Sequence, residues 1–431
     1  MSLKEFLALL LLGALPSAAH AHLFHDPYVR VYVIVIEGLE REEVGAAMPT
    51  LAGLRAEGAW YENANAVMPS TTLVNHAALM TGVLPRRNGI VGESFLSADG
   101  APRAMDSPDL LEADTLVTRL KEECLAYVET ATILSRPPLY NLFKAGGGQR
   151  QADFHQRPFP GIEREPDWLG MQDFANWALY QPTPQFGLLS LGDGAEAGSI
   201  DPAGVAGISP ARLAVLAHAD AQIRYLIENL KALDFWKDTI LFVVSDHGMD
   251  WSLPGGFVSL TPTIEGAGLM PDEFTVVADG AAAMVYVHDP ARIETAAAAV
   301  RTLPGVGTTL TATSTPSLAD YGLDHPNTGQ IVAFAAGGSR FSDPSPIENP
   351  YPGNSGNSAA QPTVLLVSGG HAGLVGGATS VSTGGQGPMS IAATVAALFG
   401  LAEPPGGYDG TLLTEAFDPN ALTSEQGPCA P

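Results

Sequence analysis

Cysteine is almost missing from this chain: Cys124 and Cys429 are the only two among 431 residues. A small fold stapled by several disulfides is excluded. One bridge tying the tail to the body is allowed in an oxidising compartment, and two unpaired thiols fit the sequence equally. Basic residues are also scarce, 21 against 46 acidic ones, for a formal charge of −25. Such a surface repels nucleic acid and anionic membranes at long range, so polyanion binding is not expected as the main task. A phosphorylated substrate is still acceptable if a metal ion supplies local positive charge. Long apolar runs are missing too. The stretch from Phe6 to Leu15 is too short for a bilayer span, and no later stretch reaches the required length.

That short run has another reading. Lys4 gives a positive start, residues 6–15 an apolar centre, and Ala19-His20-Ala21 a small-x-small cleavage site. Residues 1–21 are therefore expected to be a signal peptide, and the mature protein to be exported to the periplasm or the extracellular space. The remaining 22–431 are long enough for one large α/β domain with insertions.

What is present alternates. Val29 to Ile36 is a near-continuous β-branched run, the mark of a buried parallel strand, and it ends in Glu37-Gly38. Phe186 to Leu191 and Thr239 to Val244 read likewise, the latter ending in Ser245-Asp246-His247-Gly248-Met249. Between them, helices are expected over residues 47–56 and 113–123 and from Ser209-Pro210 onward. Residues 274–277, 284–287, 331–335 and 364–367 supply further strands. The 146–184 segment, rich in Gly, Pro, Gln and aromatics without clear period, reads as a loop-rich insertion. The fold expected is α/β, a mainly parallel central sheet sandwiched by helices.

Open α/β sheets put their sites at the C-terminal ends of strands, and there the chemistry collects. Pro69-Ser-Thr-Thr72 runs into the helical Asn75-His76-Ala77, so a hydroxyl sits at a helix start, where free amides and the dipole favour an anion. Capping alone would explain that hydroxyl. Adjacent Asp246 and His247 offer a hard oxygen and an imidazole to one divalent ion, a pairing that suits zinc or manganese.

Taken in order, these blocks resemble the type I phosphodiesterase/nucleotide pyrophosphatase branch of the alkaline phosphatase superfamily. The blocks are Glu37-Gly38, Pro-Ser-Thr-Thr-x-x-Asn-His-Ala, Asn88-Gly-Ile-Val-Gly92, Leu191-Gly-Asp193, Ser-Asp-His-Gly-Met and Pro352-Gly-Asn-Ser-Gly356. The resemblance implies Thr72 as nucleophile, Asn75 as a holder of a phosphate oxygen, and a metal bound by Glu37, Thr72, Asp246 and His247. It implies a phosphodiester or phosphorylated small-molecule substrate and a phospho-threonine intermediate. The chain departs from the family at its second metal: Ala195, Ser199 and Ser355 stand where that site keeps an Asp and two His. No substitute is obvious: Asp193, Glu196 and Asp201 lie nearby in sequence, and His325 and His371 lie far along the chain. One ion is expected, zinc, with manganese the other fit, since single-metal phosphotransferases of the superfamily use a Glu, a Thr and an Asp-His pair. A catalytically inactive member that binds a ligand or partner is the alternative, as is a single-metal phosphotransferase.

Overall fold

The structure is a computed structural model that describes residues 29–418 and Cys429, apart from 125–127, 159–163, 181–183, 202–203, 205–206, 345–350 and 378. The expected signal peptide lies outside the described residues.

Strand β1 (Arg30–Ile36) is buried from end to end. Its side chains alternate between two cores: Val31, Val33 and Val35 enter one, Tyr32, Ile34 and Ile36 the other. Burial on both faces explains why this strand reads as an unbroken apolar run. The remaining strands of its sheet are β2 (Ala59–Tyr61), β3 (Glu129–Ile133), β4 (Phe154–Gln156), β5 (Pro184–Leu191) and β6 (Thr239–Val244). Two late strands, Leu365–Gly369 and Thr379–Val381, bring the sheet to eight. From one edge the order is Thr379–Val381, β2, Leu365–Gly369, β6, β1, β5, β3, β4. The run from β6 to β4 is parallel throughout, and Leu365–Gly369 is antiparallel to both its neighbours.

Helices cover both faces. Helices α1 (Pro49–Glu57), α4 (Asp167–Tyr180) and α6 (Pro210–Ala232) pack on the Tyr32 side. Helices α2 (Thr72–Thr81), α3 (Leu116–Glu123) and Ser390–Phe399 pack on the Val31 side. Ser209 caps α6 by accepting from the Arg212 amide at 3.2 Å, with Pro210 next in line. Each large side chain wholly withdrawn from water contributes roughly 1.5–3 kcal/mol, so two cores on one sheet anchor the strand ends firmly.

Two expectations need correcting. The segment 146–184 is not a loop-rich insertion: it holds β4 and the 14-residue helix α4. Met171, Phe174, Ala175 and Ala178 form its buried stripe, and Trp177 is buried beside them. Phe174 meets Tyr32 edge-on at 5.4 Å. The helix lies so close to the sheet that a Cβ at Gly187 would come within 2.6 Å of Trp177. The strands at 274–279, 282–287 and 331–335 do not extend the main sheet. With Val306–Leu310 they make a separate four-stranded antiparallel sheet with its own core. Cys124 and Cys429 are joined by a disulfide.

Candidate active site

The C-terminal ends of the parallel strands converge. Beyond β1 comes Glu37, beyond β3 Ser135-Arg136, beyond β5 the helix α5 (Asp193–Ser199), and beyond β6 Asp246-His247. Thr72 opens α2, which is buried along its whole length and closed by Gly82 at φ 73°. Of these, Thr72, Arg136, His247 and residues of α5 line a polar cavity of about 240 Å³ that Arg164 also borders.

Glu37 is wholly buried. One carboxylate oxygen accepts from the hydroxyls of Ser135 and Ser190, the latter at 2.7 Å. The other accepts from Arg136 Nη2 at 2.9 Å, with Arg164 Nη1 at 3.6 Å. Burial alone would raise its pKa; the two guanidinium charges, His76 and the Ser135 hydrogen bond outweigh that and bring it down to about 2. Arg136 Nη2 also donates to Thr72 Oγ1, so one nitrogen bridges Glu37 and the hydroxyl.

On its other side Thr72 Oγ1 lies 3.2 Å from His247 Nε2. His247 Nδ1 is 2.6 Å from the Gly248 carbonyl, which can only accept, so Nδ1 carries the hydrogen. In the neutral ring Nε2 is then the acceptor for the threonine hydroxyl. Asp246 uses Oδ1 to accept from the amides of Gly38 and His247, at 3.2 and 2.9 Å. Its Oδ2 is buried with no hydrogen-bond partner among the described residues, and it lies 3.4 Å from His247 Nε2.

Asn75 is not in a position to hold a phosphate oxygen. Its Oδ1 accepts from the Val67 amide at 2.7 Å, and its Nδ2 donates to the carbonyls of Val67 and Thr71. The side chain clamps the turn before α2, and through it the placement of Thr72. The free amide expected at the helix start also has an occupant: the Glu93 carboxylate accepts from the Leu73 amide at 2.7 Å. Glu93 and Asp279 line the cavity as well, and burial together with the Glu93 charge raises Asp279 to about 6.

Ala195, Ser199 and Ser355, the departures at the second metal, all line the same cavity as Thr72. None of the substitute ligands joins them there. Asp193 accepts from the Asp167 amide, Asp201 from the Ser209 amide, and His325 pairs with Glu112 at 3.2 Å. Glu196 reaches Arg164 at 3.4 Å, and His371 accepts from the Gly373 amide. Trp168 and Tyr180 are exposed on α4 and do not line the cavity.

The residues that sequence reasoning missed are Ser135, Arg136, Arg164, Ser190 and Glu93. For Arg136 the signal was present: Ser135-Arg136 follows the strand at 129–133 just as Glu37 follows β1.

A fold with these strand ends and this nucleophile position defines a class. Residues 31–348 match the type I phosphodiesterase / nucleotide pyrophosphatase family, and the chain belongs to it, within the alkaline phosphatase superfamily. It is a phosphodiesterase/pyrophosphatase-like phosphoric ester hydrolase by family. Among solved structures it resembles murine ectonucleotide pyrophosphatase / phosphodiesterase 5, with 17% identity, TM-score 0.70, and coverage of 86% of this chain and 95% of that one. A second structure of the murine protein, an inactive threonine-to-alanine variant in complex with AMP, matches to the same degree. Phosphonoacetate hydrolase from Sinorhizobium meliloti 1021, in complex with phosphonoformate, matches at 18% identity and TM-score 0.63, covering 79% of this chain and 90% of that one. At these identities the likeness establishes the shared fold. No curated protein sequence matches the chain significantly.

The family is generally metal-dependent. His247 Nε2 lies 3.2 Å from Thr72 Oγ1 and 3.4 Å from Asp246 Oδ2, spacings that ligands of one small ion could share. The fourth expected ligand does not fit. Both oxygens of Glu37 are taken by hydroxyls and guanidinium groups, and no three His, Cys, Asp or Glu side chains among the described residues group as a metal site.

Proposed function

We propose that the protein hydrolyses phosphodiesters or related anionic phosphoryl esters through a covalent intermediate on Thr72. The observation that carries this reading is the Thr72 hydroxyl, held between an acceptor, His247 Nε2, and a cationic donor, Arg136 Nη2, at the floor of a polar cavity. The hydroxyl proton passes to His247 Nε2, where Asp246 Oδ2 stabilises the resulting imidazolium. Thr72 Oγ attacks phosphorus; the Oγ–P bond forms and the P–O bond to the leaving group breaks. The departing oxygen takes the proton from His247. Water then attacks phosphorus and gives its proton to His247, the P–Oγ bond breaks, and Thr72 recovers the proton. The Cys124–Cys429 bridge supports action in an oxidising compartment, outside the cytoplasm.

The test is turnover of bis(p-nitrophenyl) phosphate with mass spectrometry of the quenched enzyme. Wild type should show a phosphoryl adduct at Thr72, and Thr72→Ala should lose at least about 10³-fold in rate with the fold intact. Ser70 is turned away, its hydroxyl donating to the Asn357 carbonyl, but the Thr71 hydroxyl has no hydrogen-bond partner among the described residues and its residue borders the cavity. Full activity in Thr72→Ala, lost in Thr71→Ala, would refute the assignment.

One observation favours the inactive, ligand-binding alternative: Glu93 holds the amide at the start of α2 and faces an incoming anion with negative charge. On that reading wild type binds a phosphoryl ligand without turnover, and Glu93→Gln gains activity.

A further inference from the structure

We propose that the guanidinium of Arg136 is the working cation of this site, standing between Glu37 and Thr72 where the family resemblance puts a divalent ion. The inference rests on Thr72 as the reacting group. Its geometric basis is the single nitrogen Nη2, within hydrogen-bonding reach of Glu37 Oε2 at 2.9 Å and of Thr72 Oγ1. An ion shared by those two oxygens would need the same space. Glu37 has no oxygen to spare, since Ser135 and Ser190 fill Oε1.

Charge points the same way. Glu37, the carboxylate such an ion would need, already faces two cations, Arg136 Nη2 at 2.9 Å and Arg164 Nη1 at 3.6 Å. At the second position the pattern repeats. Where the resemblance puts ion ligands there are Ala195, Ser199 and Ser355, and Arg164 borders the same cavity, reaching the Gly192 carbonyl and Glu196.

Chemically the exchange is workable. A guanidinium stays charged at any working pH and offers fixed N–H donors that match phosphoryl oxygens. Nη2 stabilises the oxyanion as Thr72 gives its proton to His247, and phosphoryl oxygens in the cavity can meet the outer face of the group. His247 Nε2 stays 3.2 Å from Thr72 and 3.4 Å from Asp246, and Arg136, which bridges Thr72 to Glu37, is the group that separates these three from the fourth carboxylate.

That makes a reciprocal test available. The full mature chain, loaded with excess zinc and desalted, should carry less than about 0.1 equivalent, because the site offers no complete ligand set. Its phosphodiester turnover should be unchanged by EDTA. Arg136→Met frees Glu37 and should take up about one equivalent of zinc, and adding Glu37→Gln to it should abolish that uptake. Arg136→Lys should stay zinc-free and lose turnover by about 10²-fold, keeping the charge but not the fork. Should Arg136→Met fail to fold without metal, refolding with zinc but not with magnesium supports the same conclusion. One tightly held zinc in wild type, or a folded Arg136→Met chain that takes up none, overturns the inference. If wild type is zinc-free and turns over no ester, the proposed function falls, and the zinc result still decides this point.

Discussion

The bridge from Arg136 to Glu37 carries a stability consequence that can be worked out. Glu37 is completely buried, and Arg136→Met removes its closest cationic partner. Stranding a buried charge by deleting its partner costs about 3–5 kcal/mol. Arg164, 3.6 Å away, and the two serines remain, so the low end, about 3 kcal/mol, applies. Unfolding entropy of about 2.1 cal/mol/K per residue over roughly 390 residues gives about 0.8 kcal/mol per kelvin, hence a Tm lowered by about 4 °C. The converse change is milder. In Glu37→Gln the guanidinium is left unpaired, but its side chain is 22% exposed and can hydrate, so the loss should be about 1–2 kcal/mol. The double variant removes both charges and should be clearly more stable than the sum of the single losses, with a coupling of about 2 kcal/mol. Urea and thermal unfolding at neutral pH, without added metal, measure all four corners of the cycle. Arg136→Met within about 1 °C of wild type, or a strictly additive double variant, would refute the pairing. Acid titration gives an independent check of sign. The folded pKa of Glu37, about 2, lies below the ordinary carboxylate value, so its contribution is complete above that value and is lost as pH falls towards 2. Glu37→Gln should remove that slope.

Three further outcomes are expected. Asp167, raised to about 8 by burial and by the charge of Asp193, binds an extra proton when folded. Stability should therefore fall by about 1.4 kcal/mol per pH unit between roughly pH 4 and 8, and Asp167→Asn should flatten the profile in urea titrations across that range. Reducing Cys124–Cys429 opens a closure of 305 residues and should cost up to about 5 kcal/mol, read as a lower urea midpoint in dithiothreitol. Replacing Ala195→Asp, Ser199→His and Ser355→His together should create zinc uptake only when Arg164→Ala is added, because the guanidinium fills the same cavity; elemental analysis of both variants decides it.

Much of this arrangement can be read directly from the chain, for local reasons. The run 29–36 announces a strand buried on both faces, and the strand-end rule picks out Glu37 and Asp246-His247 without any knowledge of their partners. The same rule reaches Arg136, although a Ser-Arg-Pro-Pro stretch reads first as a turn. Arg164 carries no such mark, because its partners, Glu37 and Gly192, are far along the chain. Asn75 misleads for the opposite reason. Its partners are the backbone of residues 67–71, and an amide satisfied by its own turn has the same sequence context as one aimed at a ligand. Helix α4 hides because Gly170 interrupts its stripe and prolines lie on both sides. The second sheet is invisible as such: its strands look like any others until their antiparallel pairing is known.

The bond between Cys124 and Cys429 turns most of the polypeptide into a closed ring. A single protease cut anywhere between those positions linearises the ring without releasing a fragment. A nicked molecule therefore migrates near full mass on a non-reducing gel and separates into two pieces only after reduction. Glu37 and Thr72 lie on the arm before the ring, while Arg136, Arg164 and His247 lie within it, so one such cut need not part the site.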